Sequence, residues 1–126
     1  MHFDAPSFAV DAPAPAACDK GAVCTFTVRV TAKDEFHVNK DYPYKLKMED
    51  AAGGDFAGRD TQGKNVFSKS AGDFALDGEK SGVMTVRVTA ASSGPMALTG
   101  TLKLSVCNAA NCMLEQAQVH VTVPVR

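Results

Sequence analysis

The chain has 126 residues, of which 45% are apolar and 21% charged, and its formal net charge is −1. A chain of this length buries roughly two-thirds of its unfolded surface, so residues 1–126 are read as one domain with a core of its own. Lysines and arginines stand singly, which argues against a nucleic-acid or anionic-membrane surface, and no apolar run approaches the ~20 residues of a membrane-spanning helix.

The start, Met1-His2-Phe3-Asp4, lacks the basic residues and apolar run of a signal peptide. The four cysteines are an even count that fits an oxidising compartment. A cytosolic protein with free thiols would need a metal to explain them, and C-x5-C with C-x4-C is not a usual zinc spacing. The expectation is therefore a mature or trimmed exported domain, periplasmic or extracellular, carrying an initiator Met.

Residues 11–17, DAPAPAA, suit neither a helix nor a central strand and are expected to cross between sheets. Cys18 and Cys24 flank DKGAV, where Gly21 suits a tight turn. Cys24 shares parity with Phe26 and Val28, so it points inward, and a local Cys18–Cys24 bridge would pin the crossover to the first long strand. From there apolar and polar residues alternate. Phe26, Val28 and Val30 oppose Thr25, Thr27, Arg29 and Thr31; Tyr42, Tyr44, Leu46 and Met48 oppose Lys45, Lys47 and Glu49. Residues 51–65 read as a Gly-rich loop, with or without a short edge strand. Met84, Val86 and Val88 then oppose Thr85, Arg87 and Thr89, and residues 98–106 and 117–125 repeat the pattern. Period two with a β-branched bias indicates half-buried antiparallel strands. Seven or eight of them, separated by Gly, Asp, Asn and Ser clusters, predict an all-β fold, a single immunoglobulin-like antiparallel β-sandwich.

Parity also pairs the last two cysteines. Leu102, Leu104 and Val106 face the core in one strand, and Val119, Val121, Val123 and Val125 in the next. With NAAN (108–111) as a four-residue hairpin loop, Cys107 lies opposite Cys112, within reach of a disulfide. The same register sets Leu102 against Ala117, Val106 against Met113 and, less favourably, Leu104 against Glu115. Both cysteines then point away from the main core, onto a face open to another protein. Loop-closure entropy makes so small a ring worth only ~2 kcal/mol, against ~4.5 kcal/mol for a bridge spanning ~85 residues. It is a poor staple.

The run TLKLSVCNAANCMLEQAQVHVTVPV, together with the upstream FHVNKDYPYKLKM, resembles the N-terminal periplasmic domain of the DsbD thiol:disulfide interchange family. There a strand runs into a cysteine, a short loop, a second cysteine and the last strand. The loop here is one residue shorter, and Met113-Leu114 replaces the family's aromatic-proline pair. The resemblance spans roughly residues 20–125. It implies an immunoglobulin-like fold and a Cys107–Cys112 couple that passes electrons between thioredoxin-like or membrane-embedded thiol–disulfide oxidoreductases, Cys112 forming the mixed disulfide, with no bound cofactor. It also implies an aromatic cap over the pair, for which Phe67 is the first candidate and Phe74 the second.

His37, outward from Phe36 and Val38, could gate or polarise a site beside the disulfide, and its neighbour Tyr42 is a further candidate cap or gate; a loop histidine bonded to backbone is the plainer reading. His120 falls on the polar face of the last strand. Met48 and Met84 sit at core parity, which argues for packing rather than copper ligation, and no metal site is predicted. No nucleophile motif or phosphate-cradling loop is present. The competing reading is a non-catalytic interaction or adhesion module in which Cys18–Cys24 and Cys107–Cys112 are both structural.

Overall fold

The alternating segments become the long strands of a computed structural model that describes residues 1–126. The strands are β1 (His2–Asp4), β2 (Phe8–Asp11), β3 (Val23–Ala32), β4 (His37–Val38), β5 (Lys45–Met48), β6 (Gly54–Phe56), β7 (Val66–Ser68), β8 (Phe74–Asp77), β9 (Ser81–Ala90), β10 (Gly94–Cys107) and β11 (Cys112–Val125). No helix is present. One sheet runs β1-β2-β3-β9-β6, with β8 also on β9; the other runs β11-β10-β5-β7, with β4 also on β10. Every named strand pair is antiparallel. The chain is an immunoglobulin-like antiparallel β-sandwich.

The core lies where the inward stripes of the two sheets meet. Phe26, Val28, Val30, Met84, Val86 and Val88 come from one sheet, and Leu46, Met48, Leu102, Leu104, Val119 and Val121 from the other. Residues 51–65 hold the short edge strand β6. The Pro/Ala segment does cross between sheets: β2 lies in the first, and Cys18 bonds to the end of β11 in the second. The Cys18 N–H donates to the Pro124 carbonyl at 3.0 Å, and the Arg126 N–H donates to the Cys18 carbonyl at 2.8 Å. Since Cys18 is disulfide-bonded to Cys24 at the start of β3, this bridge ties the two sheets together at one end.

Two buried contacts organise the middle. The rings of Tyr44 and Phe74 stack at 4.2 Å, and the Tyr44 hydroxyl donates to the Ser105 carbonyl at 2.7 Å. Phe74 can reach that position because β9 carries a glycine beneath it. A Cβ added at Gly82 would fall 2.3 Å from Phe74 Cζ. Nearby, Arg87 donates to Asp73 at 2.7 Å, Asp73 accepts the Ser68 N–H at 3.0 Å, and the guanidinium lies 5.5 Å over the Phe67 ring.

β4 joins the layers at the other end of the sandwich. The turn before it places Asp34 at φ 52°, a left-handed conformation that Asp tolerates better than most residues. Lys80 Nζ reaches across to the Asp34 and Phe36 carbonyls. The Val38 N–H then donates to Glu79 of the β8–β9 turn at 2.8 Å, and the Asn39 N–H to Ser105 of β10 at 3.1 Å.

Gly82→Ala is expected to push Phe74 off Tyr44 and to destabilise the domain by about 1–3 kcal/mol in urea unfolding, as overpacking does. The pH dependence of stability gives a second check. Burial pushes the Tyr44 phenol up to about 12, against about 10 in an unfolded chain. The native state therefore holds this proton more tightly, so the contribution is complete below pH ~10 and is lost as pH rises from ~10 towards ~12. Tyr44→Phe is expected to flatten that alkaline fall in an unfolding series.

Candidate functional site

The β10–β11 ladder has the register that side-chain parity predicts. It pairs Leu102 with Ala117, Leu104 with Glu115, Val106 with Met113 and, at its end, Cys107 with Cys112. That last pair is a disulfide with its Cα atoms 3.9 Å apart. The loop beyond it closes through its own hydrogen bonds. The Asn108 N–H donates to the Asn111 carbonyl at 2.8 Å, and Asn108 Oδ1 accepts the N–H groups of Ala110 and Asn111 at 3.0 and 2.8 Å.

The two sulfurs are not equally placed. Cys107 is only 4% exposed, whereas Cys112 is exposed. The expectation that both would lie open on the polar face is corrected for Cys107, and the topology supplies the reason. β10 is flanked near its end by β11 on one edge and β4 on the other, which sets His37 directly opposite Cys107. The chain after β4 covers the strand further: Asn39 Nδ2 donates to Ser105 Oγ at 3.2 Å, and Ser105 is itself fully buried. β11 is an edge strand, so Cys112 keeps one side free. Leu114, two residues on and on the same face, is 72% exposed.

Three segments meet around the pair and enclose a cleft of about 460 Å³. Residues 37–41 form one wall, with His37, Lys40 and Asp41. β8 supplies Leu76 and the β8–β9 turn Glu79, and the hairpin supplies Cys107, Asn108 and Cys112. Directly opposite residues of antiparallel strands project to one side, so His37, Cys107 and Cys112 form a transverse row. The His37 side chain is exposed and hydrogen-bonds to no other residue of the chain, unlike the backbone-bonded loop histidine of the plainer reading.

The aromatic residues expected to cap the pair lie elsewhere. Phe67 is fully buried opposite Leu46, edge-on to Phe56 and beneath Arg87. Phe74, the second candidate, is in the core against Tyr44. Counting along the chain could not place them, because β7 and β8 are short strands on different sheets. Tyr42 is half-buried, meets Tyr44 edge-on, and borders a separate hollow with Pro43 and Lys69. None of the three lines the cleft. His120 is exposed, and Met48 and Met84 are core residues. Leu76 and Glu79 carry no signal in the sequence, since only the pairing of β8 with β9 brings them to the β10–β11 hairpin.

No protein-family model and no curated protein matches the chain. Among solved structures, similarity is found to AggA, the major subunit of aggregative adherence fimbriae type I from Escherichia coli, at 13% identity and TM-score 0.49, covering 100% of this chain and 99% of that one. It is found to a PapD-like domain of human CEP192 at 11% identity and TM-score 0.32, covering 98% and 89%. The CooA pilin subunit from enterotoxigenic Escherichia coli matches at 11% identity and TM-score 0.26, covering 96% and 99%. The assignment of the sandwich rests on the strand pairing itself.

Because the hairpin loop is closed by backbone bonds and by Asn108, the covalent link adds little to the fold. Cys107→Ser combined with Cys112→Ser is expected to lower stability by no more than ~2 kcal/mol, with the β-sheet circular dichroism unchanged.

Proposed function

We propose that this chain is an exported immunoglobulin-like module that meets other proteins at the β10–β11 hairpin end, and that its chemistry there is thiol–disulfide exchange through Cys107–Cys112. Export is supported by the cysteine usage: all four are disulfide-bonded, a state that persists in oxidising compartments. The observation that carries the exchange reading is the asymmetry of the hairpin pair, with Cys112 open on an edge strand and Cys107 held beneath it at the wall of a cleft. The exposed sulfur is the one a partner's thiolate can reach, and the buried one is then the leaving group. Attack on Cys112 forms a mixed disulfide and releases Cys107 as a thiolate. A second thiol of the partner then attacks the partner's own sulfur, so that two electrons pass to the domain and the partner leaves as a disulfide. The partners that fit are thioredoxin-like dithiol proteins, in line with the resemblance to the DsbD family.

The second reading is a non-catalytic interaction or adhesion module with both disulfides structural. What favours it is the absence of an aromatic shield over the pair, since Phe67, Phe74 and Tyr42 all lie elsewhere, together with the exposed edge of β11, where backbone pairing with another chain can occur.

A redox titration of the purified protein, with alkylation and peptide mass spectrometry assigning each cysteine, separates the two. The exchange reading expects Cys107–Cys112 to be reduced alone, in the range of about −180 to −270 mV where oxidoreductase couples lie. A pair that stays oxidised below about −300 mV, alongside Cys18–Cys24, gives the second reading.

A further inference from the structure

We infer that His37 is the charge-stabilising group for the Cys107 thiolate, and so directs incoming thiols to Cys112. The inference rests on the exchange reading above. Its own support is the transverse row at the end of the second sheet. β4 is only two residues long, and its pairing with β10 consists of Val38 opposite Val106 and His37 opposite Cys107. Val38 is buried in the core and anchors the segment, while His37 projects to the other side, where the disulfide is. The backbone bonds from Val38 to Glu79 and from Asn39 to Ser105 hold this short strand from both layers.

The chemistry requires a group of this kind. When a partner's thiolate attacks Cys112, the sulfur–sulfur bond breaks and its electron pair goes to Cys107. A buried thiolate is costly unless a positive charge or a hydrogen-bond donor faces it. The rate of exchange rises as the leaving thiol becomes more acidic. A protonated imidazole beside Cys107 meets both needs, and it can give its proton to the sulfur once the bond has broken. The other charged groups of the cleft are Lys40 and Asp41, on the chain that follows β4, and Glu79, on the β8–β9 turn. Attack on Cys107 instead would leave the charge on exposed Cys112, away from His37.

The test is the rate at which dithiothreitol reduces Cys107–Cys112 in the intact chain between pH 5.5 and pH 9, followed by alkylation and peptide mass spectrometry. Wild type is compared with His37→Gln and His37→Lys. Wild type is expected to exceed His37→Gln by roughly tenfold at the acidic end, and the two are expected to converge as the imidazole loses its proton. His37→Lys, which carries its charge across the whole range, is expected to match wild type at low pH and to exceed it at high pH. A wild-type to His37→Gln ratio that does not change with pH overturns the inference, as does a His37→Lys variant no faster than His37→Gln. The exchange reading fails separately: in that case wild-type Cys107–Cys112 reduces no faster than Cys18–Cys24 at any pH.

Discussion

The constraint on which the rest depends is the register of the β10–β11 ladder. Each strand has fourteen residues, and the pairing runs unbroken from Gly94 opposite Val125 to Cys107 opposite Cys112. A slip of one residue would turn Val119, Val121, Val123 and Val125 to solvent and bring Gln118, His120 and Thr122 into the core. At ~1.5–3 kcal/mol for each buried valine, such a slip would cost about as much as the whole stability of a small domain. The valine stripe therefore sets the register, and the cysteines meet because of it. The disulfide records an alignment that the core already enforces.

The two disulfides mark opposite ends of one strand. Cys18 pairs with Val125 at the last residue of β11, and Cys112 is its first. At ~3.4 Å per residue they stand ~40 Å apart. Their surroundings differ as much as their positions. Cys18–Cys24 fastens the Pro/Ala crossover to β3 and, through backbone bonds, to the second sheet, so reducing it would loosen the seam between layers. Cys107–Cys112 closes a loop that Asn108 already closes. At that distance neither pair affects the other's local geometry.

What was legible in the sequence follows from the range of the interactions involved. The long strands β3, β9, β10 and β11 announce themselves because their alternating burial repeats over ten or more residues, and the hairpin register follows from parity and loop length alone. The short strands β4, β7 and β8 have two to four residues and exist only because other strands receive them. All three residues of β7 are buried, Phe67 under Arg87 and Ser68 against Asp73, so period two gives no hint of which face is which. Parity likewise sends Cys107 outward and is right about direction. It fails on exposure, because exposure is decided by what β4 and the 39–41 segment lay over the end of β10.

The same distinction explains why the hairpin end of the molecule is built from the least regular part of it. The proposed thiol exchange needs one sulfur that can be reached and one that is held, and a regular sheet treats opposite residues alike. Here the symmetry is broken by topology: β11 is an edge, whereas β10 has neighbours on both sides. β4 supplies the second neighbour, and its two residues divide the task, with Val38 seated in the core and His37 paired opposite Cys107. A longer strand in its place would cover more of β10 and narrow the cleft, and a plain loop would leave Cys107 open. Two residues, anchored from both layers, leave buried Cys107 opposite His37 and leave Cys112 exposed.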